Sequence, residues 1–462
     1  MDQPASTSAR PAVVAPQDRA GYPSALAAWC AVSVFALAQI VSTIDRGMLA
    51  LVIDPIRHDL HISDVQIALL QGLAFALFYV AVGLPLGFVA DRLNRRRLLI
   101  AGVLVWCAAT IACGYAHSFG DMFAARLLVG LGEAALAPCA VTMIGDLFPP
   151  SKRGAPMALY ILGSMVAVGV GSAATGSILK LAPQGAFDVV PFLHGLSPWR
   201  TAFVVLGAAG LVIAVLVSLL KEPSRKGVVL EARQGLGLKQ AVGYLAENWG
   251  VFLPFYAAVG AYGAGIGLAI VWGPAVLIRT YGLTAGGLGQ VLGGAQFIAA
   301  ILGAICASVV IDPVVRRSGV GGKLRLAALI SLLAIPSTFP WIAHTPGLAI
   351  AMTAEAMFIG ALYGSTMLST MTELVPSNMK GVSVSLYAFV VTMIGTALGP
   401  LAVAQVNQAV FHDPRLIGHS VTIVGVSALV LSALLTLVTW RNFARGMARD
   451  GGFARVLNAN LR

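Results

Sequence analysis

The chain has 462 residues, of which 58% are hydrophobic and only 11% are charged, whereas a soluble domain carries about a quarter charged residues. This composition excludes an ordinary soluble globular protein and predicts an all-α protein that crosses a membrane many times. The net charge of +11 is of a size that also suits nucleic-acid binding. The bases lie beside apolar segments, however, so no nucleic-acid partner is expected.

Apolar windows of about 20 residues, the length that crosses a hydrocarbon core, occur twelve times. We predict spans at 25–52, 65–90, 98–116, 122–147, 155–181, 199–220, 250–278, 285–311, 323–343, 347–374, 381–406 and 418–440. The parts of the chain are then a disordered cytoplasmic tail at 1–24, a six-helix bundle at 25–220, a cytoplasmic linker at 221–249, a second six-helix bundle at 250–440, and a basic cytoplasmic tail at 441–462.

Positive charge is distributed unevenly between the two sides of the predicted bundles. With the N-terminus in the cytoplasm, most of the 30 Lys and Arg residues fall on the cytoplasmic side. The exceptions are Arg57, Lys180, Arg200, Arg279 and Arg415 on the outer side, and Arg46 and Arg126 within spans. Loops rich in Lys and Arg stay in the cytoplasm, so we predict a multi-pass protein of the cell (inner) membrane with both termini cytoplasmic.

The two bundles resemble each other in sequence. The segment 145–160, around the end of span four, aligns without gaps with the segment 372–387, around the end of span ten. The matched residues include Pro149 with Pro376, Tyr160 with Tyr387, and the acids Asp146 with Glu373. A duplication of six spans predicts a substrate site near the membrane midplane, between the two halves.

The loop after span two carries the motif Gly87-x-x-x-Asp91-Arg92-x-x-Arg95-Arg96-Arg97. With this motif the chain resembles the major facilitator superfamily across essentially all twelve spans, although Asn94 stands where that family usually has a glycine. The resemblance implies the major facilitator fold, with two six-helix pseudo-repeats that alternate access to a central cavity.

Charged motifs in spans one and four resemble those of the spinster-type transporters within that superfamily. The residues that carry this resemblance are Asp45-Arg46, Arg126-Leu-Leu-Val-Gly130-Leu-Gly132-Glu133, and Asp146-Leu-Phe-Pro149-Pro150. The resemblance implies a monomeric, proton-coupled secondary transporter of amphiphilic lipids, such as lysophospholipids or sphingoid phosphates. Its expected partners are membrane lipids, a small amphiphilic substrate and protons.

Two other functions stay open. Organic anion symporters also carry Asp-Arg in span one, so a proton-linked transporter of small organic anions or drugs is the main alternative. A membrane enzyme that modifies lipids is the other alternative, but the spans contain no cluster of His, Ser or metal-binding residues. The glycine-rich runs do not form a phosphate-binding loop between a strand and a helix. We therefore expect no enzyme activity, no cofactor and no metal.

Four charged residues interrupt the apolar pattern of spans one and four. Ionisable residues inside a span are costly and generally mark a pathway for substrate or protons. At 1.5 Å per residue, Asp45 lies about 15 Å and Glu133 about 16 Å from the outer ends of their helices, so the two acids share a level. We predict that both acids carry protons, with Arg46 and Arg126 as charge partners or headgroup ligands. The alternative is a permanent ion-pair network that holds span one against span four.

A second set of candidate residues comes from the second bundle. Glu355 lies about 12 Å inside the outer end of span ten, and Tyr256, Tyr262 and Trp272 accompany Gly and Pro in span seven. We predict that span seven is a broken helix and that these four side chains line the cavity. The alternative is ordinary packing of the aromatic rings between helices, and contact with water for Glu355.

The loop motif also contains an acid among its bases, which a simple topology signal does not need. We therefore predict a cytoplasmic gate whose ion pairs tie the halves together and break on opening. Its residues are Asp91, Arg92, Arg95 and Arg96, with Asp146 and Asp312 as partners. The alternative is a positively charged loop that only sets topology.

Overall fold

A computed structural model describes residues 22–225, 238–376 and 379–448. Within these ranges, twelve helices are long and apolar enough to cross a membrane, which confirms the predicted all-α membrane fold. The spans, numbered in chain order, are Ala25–Leu51, Asp64–Gly83, Arg95–Gly114, Phe119–Leu147, Gly154–Gln184, Pro198–Leu219, Trp249–Val271, Ala285–Val310, Arg317–Thr338, Pro346–Leu374, Val382–Phe411 and Pro414–Gly446.

The spans alternate in direction and so define two faces of the bundle. The terminal face contains the start of span one at Ala25 and the end of span twelve, and the distal face contains the opposite ends. On the distal face, the short helix Ile53–Leu60 connects spans one and two. On the terminal side, the helix Leu238–Glu247 lies in the predicted linker. Most of the predicted tail at 1–24, the linker residues 226–237 and the tail from 449 onward lie outside the described residues.

Span seven is shorter than predicted. Its helix ends at Val271, and a separate helix, Gly273–Tyr281, begins one residue later on the distal face. Pro274 lies in the first turn of that helix, where its missing N–H group does no harm. The predicted break therefore occurs at Trp272, and Arg279 lies in the helix that follows it on the distal face.

Spans eight and nine follow each other within the stretch Ala285–Leu333 as two helices that meet at Gly319 on the terminal face, where the backbone is not helical. The φ angle of Gly319 is 56°, a value that glycine adopts at no steric cost. Span nine then ends in a turn of 3₁₀ helix at Ile335–Thr338. The described chain thus crosses from span eight to span nine without leaving helical structure for more than a residue.

Small residues hold the two halves together near the distal face. A Cβ atom on Gly72 of span two would collide with the backbone of Thr396 in span eleven. Spans five and eight cross in the same close way, with Gly169 against Gly293 and Gly176 against Gly289. Small residues let helix backbones approach closely in a membrane, so these crossings bring the halves into direct contact.

A matching ion pair appears at the terminal face of each half. In the first half Arg95, at the start of span three, pairs with Asp146 at the end of span four. In the second half Lys323, early in span nine, pairs with Glu373 at the end of span ten, with 2.7 Å between Nζ and Oε1. We call these two the terminal pairs. They are related by the same repeat that aligns Asp146 with Glu373 in the sequence.

Candidate functional site: a buried charge cluster

Span four is wedged tightly between spans two and three by two glycines. A Cβ on Gly130 would strike the backbone of Phe75, and one on Gly132 would strike Gly102 and Trp106. The helix then breaks after Glu133, and a second helix starts at Leu136. Pro138 contributes to this break because it cannot donate a hydrogen bond to the turn before it. Glu133 therefore lies at a helix end deep inside the first half.

Asp45 of span one is held by groups from spans three and four. Thr110 donates a hydrogen bond of 2.7 Å to Oδ2 of Asp45, and a guanidinium nitrogen of Arg126 lies 3.9 Å from Oδ1. Arg126 also donates to the backbone carbonyl of Leu70 at 3.4 Å. Leu70 belongs to a stretch of π-helix, Leu69–Leu73, where backbone carbonyls are open to such partners.

Glu133 pairs with the other arginine. Nε of Arg46 lies 3.2 Å from Oε2 of Glu133, and Ser42 donates a hydrogen bond of 2.6 Å to the same oxygen. The Arg46 guanidinium lies over the ring of Phe75, 5.2 Å from its centroid, and 6.0 Å from that of Tyr79. The acids predicted to act together are thus each paired with a different arginine. We call Asp45, Arg46, Arg126 and Glu133 the central cluster.

The side chains of the central cluster differ in how exposed they are. The side chain of Arg46 is 32% exposed, whereas those of Asp45, Arg126 and Glu133 are 4% exposed or less. A Cβ built on the neighbouring Gly47 would meet no atom within 4 Å. Arg46 is therefore the member that reaches open space, and the others lie behind it.

Each buried acid also keeps one oxygen available. Oδ1 of Asp45 and Oε1 of Glu133 are buried, and neither accepts a hydrogen bond from any residue that the structure describes. The cluster as a whole carries two negative and two positive charges. Chemically, it can take up a proton at either acid, and each uptake leaves an arginine without its countercharge.

Ser42 and Thr110 hold the acids but were not identified from the sequence. Ser42 lies one helical turn before Arg46, on the same face of span one. Thr110 is a polar residue in the otherwise apolar span three. Both signals are weak on their own, because a hydroxyl within a span also bonds commonly to its own helix backbone.

Trp272 does not line a cavity, contrary to prediction. Its side chain is fully buried, and its indole N–H donates to the carbonyl of Pro400 at 3.2 Å. The break of span seven buries the ring in the distal core. Tyr256 is also mostly buried, and its hydroxyl donates to the carbonyl of Ser383 at 3.3 Å. For these two side chains the packing interpretation fits the structure.

Tyr262 and Glu355 lie in a different environment. The ring of Tyr262 stacks on that of Tyr363, with 3.5 Å between centroids and 8° between planes. Its buried hydroxyl makes no hydrogen bond with the described residues. Glu355 itself, in span ten, is partly buried.

The contacts described for the predicted gate stay within the first half. Arg95 bonds Asp146 and also Glu222, which follows span six. Both oxygens of Glu222 accept from backbone N–H groups at the start of span three, a favourable place for an acid. Arg96 donates to the carbonyl of Leu220 at 2.8 Å. These described contacts connect the ends of neighbouring spans within the first half, and the gate between the halves stays a prediction.

The remaining gate residues are Asp91, Arg92 and Asp312, whose side chains lie outside the described part of the structure.

Ion pairs that connect the two halves form a cluster on the distal face. Arg279 of the second half bonds Asp54 at 2.7 Å and Asp64 at 2.9 Å, both in the first half. Arg57 pairs with Asp64 at 3.1 Å and belongs to the first half as well. We call Asp54, Arg57, Asp64 and Arg279 the distal cluster. The sequence showed acids and bases on this side, but not which half each would bond.

The charge of Arg279 is secure at any ordinary pH. Burial disfavours the charged guanidinium, but hydrogen bonds to Asp54 and Asp64 outweigh it and raise the pKa of Arg279 above its usual value. A group with a raised pKa contributes its stabilisation fully below its unfolded pKa, which for arginine lies far above neutral pH. Arg279 therefore does not titrate under conditions in which the protein works.

Comparison with known proteins places this arrangement in a family. The model of the Major Facilitator Superfamily matches residues 35–400. The chain belongs to the Major Facilitator Superfamily. It is thus a transporter, and its relatives and fold are not those of enzymes, which removes the lipid-modifying alternative.

Several relatives show what this transporter is similar to. It is 28% identical over 84% of its length to an MFS-type efflux pump of Mycolicibacterium smegmatis, covering 86% of that protein. A sphingosine-1-phosphate transporter of Mus musculus is 28% identical over 42% of the chain, which covers 33% of that protein. A hexuronate transporter of Bacillus subtilis is 24% identical over 85% of the chain and 94% of its own length.

The fold is also that of a solved transporter. A bacterial homolog of the human lysosomal transporter spinster, in an inward-facing and unoccupied conformation, matches with a TM-score of 0.75. The match covers 95% of this chain and 99% of that one, at 22% identity. Together with the sequence relatives, this makes the transporter spinster-like.

Proposed function

We propose that this transporter is a proton-coupled, alternating-access carrier of amphiphilic lipids with an anionic headgroup, of the lysophospholipid or sphingoid-phosphate type. The observation that carries the proposal is the pairing in the central cluster, in which the one exposed arginine, Arg46, is neutralised by the buried Glu133. The kinship with a sphingosine-1-phosphate transporter supports a lipid substrate. The carrier works as a monomer in the cell membrane, with the Lys- and Arg-rich terminal face in the cytoplasm.

Proton uptake at Glu133 prepares the site for an anion. In the unloaded state, the Arg46 guanidinium forms an ion pair with the Glu133 carboxylate, which neutralises its charge. Once Glu133 is protonated, Arg46 keeps its charge and can bond a phosphate or other anionic group. One proton and one negative charge enter together, so the loaded site stays neutral. A charge left unpaired in an apolar environment would cost several kcal/mol. Proton uptake without the anion, or binding of the anion without the proton, is therefore unfavourable.

Asp45 is the second proton carrier and acts at greater depth. It forms an ion pair at 3.9 Å with Arg126, which in turn donates a hydrogen bond to the carbonyl of Leu70 in span two. Protonation of Asp45 weakens its attraction to Arg126 and so loosens span one from spans two and four. Asp45 thereby links proton uptake to helix movement, whereas Glu133 links it to substrate.

The aromatic rings beside Arg46 suit an amphiphile. Phe75 and Tyr79 stack on each other with 5.1 Å between centroids, and the guanidinium lies over both. A headgroup bonded to Arg46 would place the first carbons of its tail against these rings. Such apolar contact is worth roughly 25 cal/mol for each Å² removed from water, and a small sugar acid would gain little of it.

A transporter of small organic anions is the second candidate. It is favoured by the hexuronate transporter, whose similarity extends over nearly its whole length. The same arginine would bond a carboxylate in place of a phosphate. The efflux pump similarity likewise leaves open an exported drug. Competition between a labelled lysophospholipid and a hexuronate for the purified protein separates these substrates.

Transport into proteoliposomes with an imposed pH gradient tests the proposal. The wild type is expected to accumulate a labelled lysophospholipid when protons can flow with it. Glu133→Gln keeps the size of the side chain but cannot release a proton, so it should still exchange lipid across the membrane, while the uptake driven by the gradient falls to the part that Asp45 supports. Glu247→Gln, on the exposed helix of the linker, is the control. Gradient-driven uptake at the wild-type level in Glu133→Gln would refute the coupling role of Glu133.

A further inference from the structure

Two stretches of π-helix meet across the boundary between the halves. Span two is π-helical at Leu69–Leu73, and span eleven is π-helical at Val391–Leu398. A Cβ atom built on Gly72 would lie 2.5 Å from the carbonyl oxygen of Thr396 and 2.6 Å from Cα of Ala397. Because backbone meets backbone here, no side chain can rotate away. The shape of the π stretch in span two therefore decides whether spans two and eleven fit together.

The corresponding contact in the repeat has no π-helix. The six-span repeat relates span two to span eight and span eleven to span five, so the crossing of spans two and eleven corresponds to that of spans five and eight. Spans five and eight also approach closely, at Gly176 and Gly289, but both are α-helical throughout this contact. Close packing of the halves thus does not require π-helix. Since π-helix is rare and often marks functional sites, it serves a purpose on one side of the bundle.

The central cluster lies on that side and is joined to the π stretch by a hydrogen bond. Arg126 donates to the carbonyl of Leu70, within the stretch, at 3.4 Å. The same guanidinium lies 3.9 Å from Oδ1 of Asp45 and donates to the backbone carbonyl of that residue at 3.5 Å. One arginine therefore connects the acid of span one to a residue two positions before Gly72.

Other titratable and charged groups surround Asp45 on spans one, three and four: Arg46, Cys107, Cys113 and Glu133. The two cysteines are buried one turn to either side of Thr110, which bonds Asp45, and buried thiols carry no charge at neutral pH. Arg46 and Glu133 pair with each other. Arg126 is therefore the group whose bonding changes most when Asp45 gains a proton.

The π stretch also contains a group that a rearrangement can satisfy. The side-chain nitrogen of Gln71 is buried and has no hydrogen-bond partner among the described residues, which destabilises the present arrangement. A π turn holds more residues than an α turn, so a return to α-helical bonding rotates one part of span two against the other. Such a rotation would displace Gly72 from span eleven.

We propose that the π stretch of span two transmits the protonation state of Asp45 to the contact between the halves. The inference rests on the proposed function for the proton carried by Asp45, and it adds the route and the contact on which that proton acts. With Asp45 charged, Arg126 holds the carbonyl of Leu70, and Gly72 fits against span eleven. With Asp45 neutral, Arg126 loses the countercharge that fixes it, the stretch is released, and the distal face opens.

Distance measurements on the full-length protein in nanodiscs, without substrate, test this route. Spin labels at the exposed His58 and His344, in a background without native cysteines, report the ratio of molecules open and closed at the distal face. Asp45→Asn imitates the protonated acid and should raise this ratio at least about fivefold, the lower end of coupling between sites. Gly72→Ala should raise it by collision with span eleven. Gly83→Ala, whose Cβ would meet no atom within 4 Å, should leave it unchanged.

The decisive sample combines the two changes. If both act through the same contact, Asp45→Asn has no further effect once Gly72→Ala has broken that contact. Gly176→Ala is the matched control, because it breaks the crossing of spans five and eight, and there Asp45→Asn should still raise the ratio about fivefold. An equal effect of Asp45→Asn in the two backgrounds, or no effect in the wild type, would overturn the route.

Hydrogen exchange of backbone amides gives a second measurement, which does not need Gly72→Ala to fold. In Asp45→Asn, the amides of residues 69–74 should exchange several-fold faster than in the wild type, and those of residues 172–177 in span five should change much less. Equal changes in the two segments would contradict transmission through the π stretch.

Uptake of a labelled lysophospholipid by the same variants separates this proposal from the proposed function. If no lysophospholipid is transported but the effect of Asp45→Asn disappears in Gly72→Ala alone, the route stands and the lipid function fails. If uptake follows the pH gradient but Asp45→Asn acts equally in both backgrounds, the lipid function stands and the route fails.

Discussion

Ion pairs at the two faces of this transporter join different parts of the molecule. On the distal face, Arg279 of the second half bonds Asp54 and Asp64 of the first. On the terminal face, each of the two terminal pairs lies within its own half. An ion pair inside a half can persist in every conformation, whereas one that crosses the boundary must break when the halves part there. We therefore expect the ion pairs on the terminal face to affect folding stability, and those on the distal face to affect the balance between conformations.

The largest expected effect is on folding stability, from Arg95→Ala. The Arg95 side chain is 4% exposed and that of Asp146 is 1% exposed, and Arg95 also bonds Glu222. Removing one member of a buried ion pair typically costs about 3–5 kcal/mol. We expect a large drop in the unfolding midpoint of the detergent-solubilised protein, measured by circular dichroism.

Arg97→Ala is the control for this prediction, because Arg97 follows in the same helix turn and is exposed. Its effect should stay within about 0.5 kcal/mol. Equal midpoints for the two variants would show that the buried pair contributes little to stability.

Arg279→Ala should instead change which conformation is populated. The change removes the bonds from the second half to Asp54 and Asp64, so opening of the distal face no longer breaks them. Discounting for the partial exposure of Asp54, we expect a shift of about 1–2 kcal/mol toward the distal-open state. The readout is the distance between spin labels at exposed His58 and His344, on opposite halves, in a background without native cysteines.

Arg57→Ala tests whether the effect requires an ion pair that crosses between the halves, or only the loss of an ion pair with Asp64. Arg57 also pairs with Asp64, at 3.1 Å, but both residues belong to the first half. The label distance should therefore stay close to that of the wild type. A longer distance in Arg57→Ala than in Arg279→Ala would contradict the idea that crossing the boundary is what matters.

The sequence allowed the fold to be predicted in detail but the site only in part. Apolar length gave the number of spans, and helical rise placed Asp45 and Glu133 at one level. Which arginine each acid bonds depends on how the helices are rotated and tilted, and the pattern of a single helix does not contain that information. Gly130 and Gly132 set this rotation by steric contact with spans two and three. The side of the membrane predicted for Arg279 agrees with its place on the distal face, but its pairing with Asp54 and Asp64 depends on how the helix after the break at Trp272 packs against the first half.

The smallest expected effect comes from the second terminal pair. The Glu373 side chain is 31% exposed, although Lys323 is only 2% exposed, and exposed ion pairs contribute about 1 kcal/mol or less. In Glu373→Gln, the Lys323 ammonium keeps its hydrogen bond to Ser369 at 2.6 Å and can bond the new amide oxygen. We therefore expect a stability loss of at most about 1 kcal/mol, measured by the same unfolding experiment.

Asp146→Asn in the first half is the matched comparison, since the repeat places Asp146 and Glu373 at corresponding positions. The Asp146 carboxylate is buried and bonded to a buried guanidinium, so its neutralisation should cost several-fold more than that of Glu373. Equal losses of stability would mean that the two terminal pairs stabilise the protein equally in spite of the difference in exposure. A larger loss for Glu373→Gln would contradict burial as the cause, because Glu373 is the more exposed of the two acids.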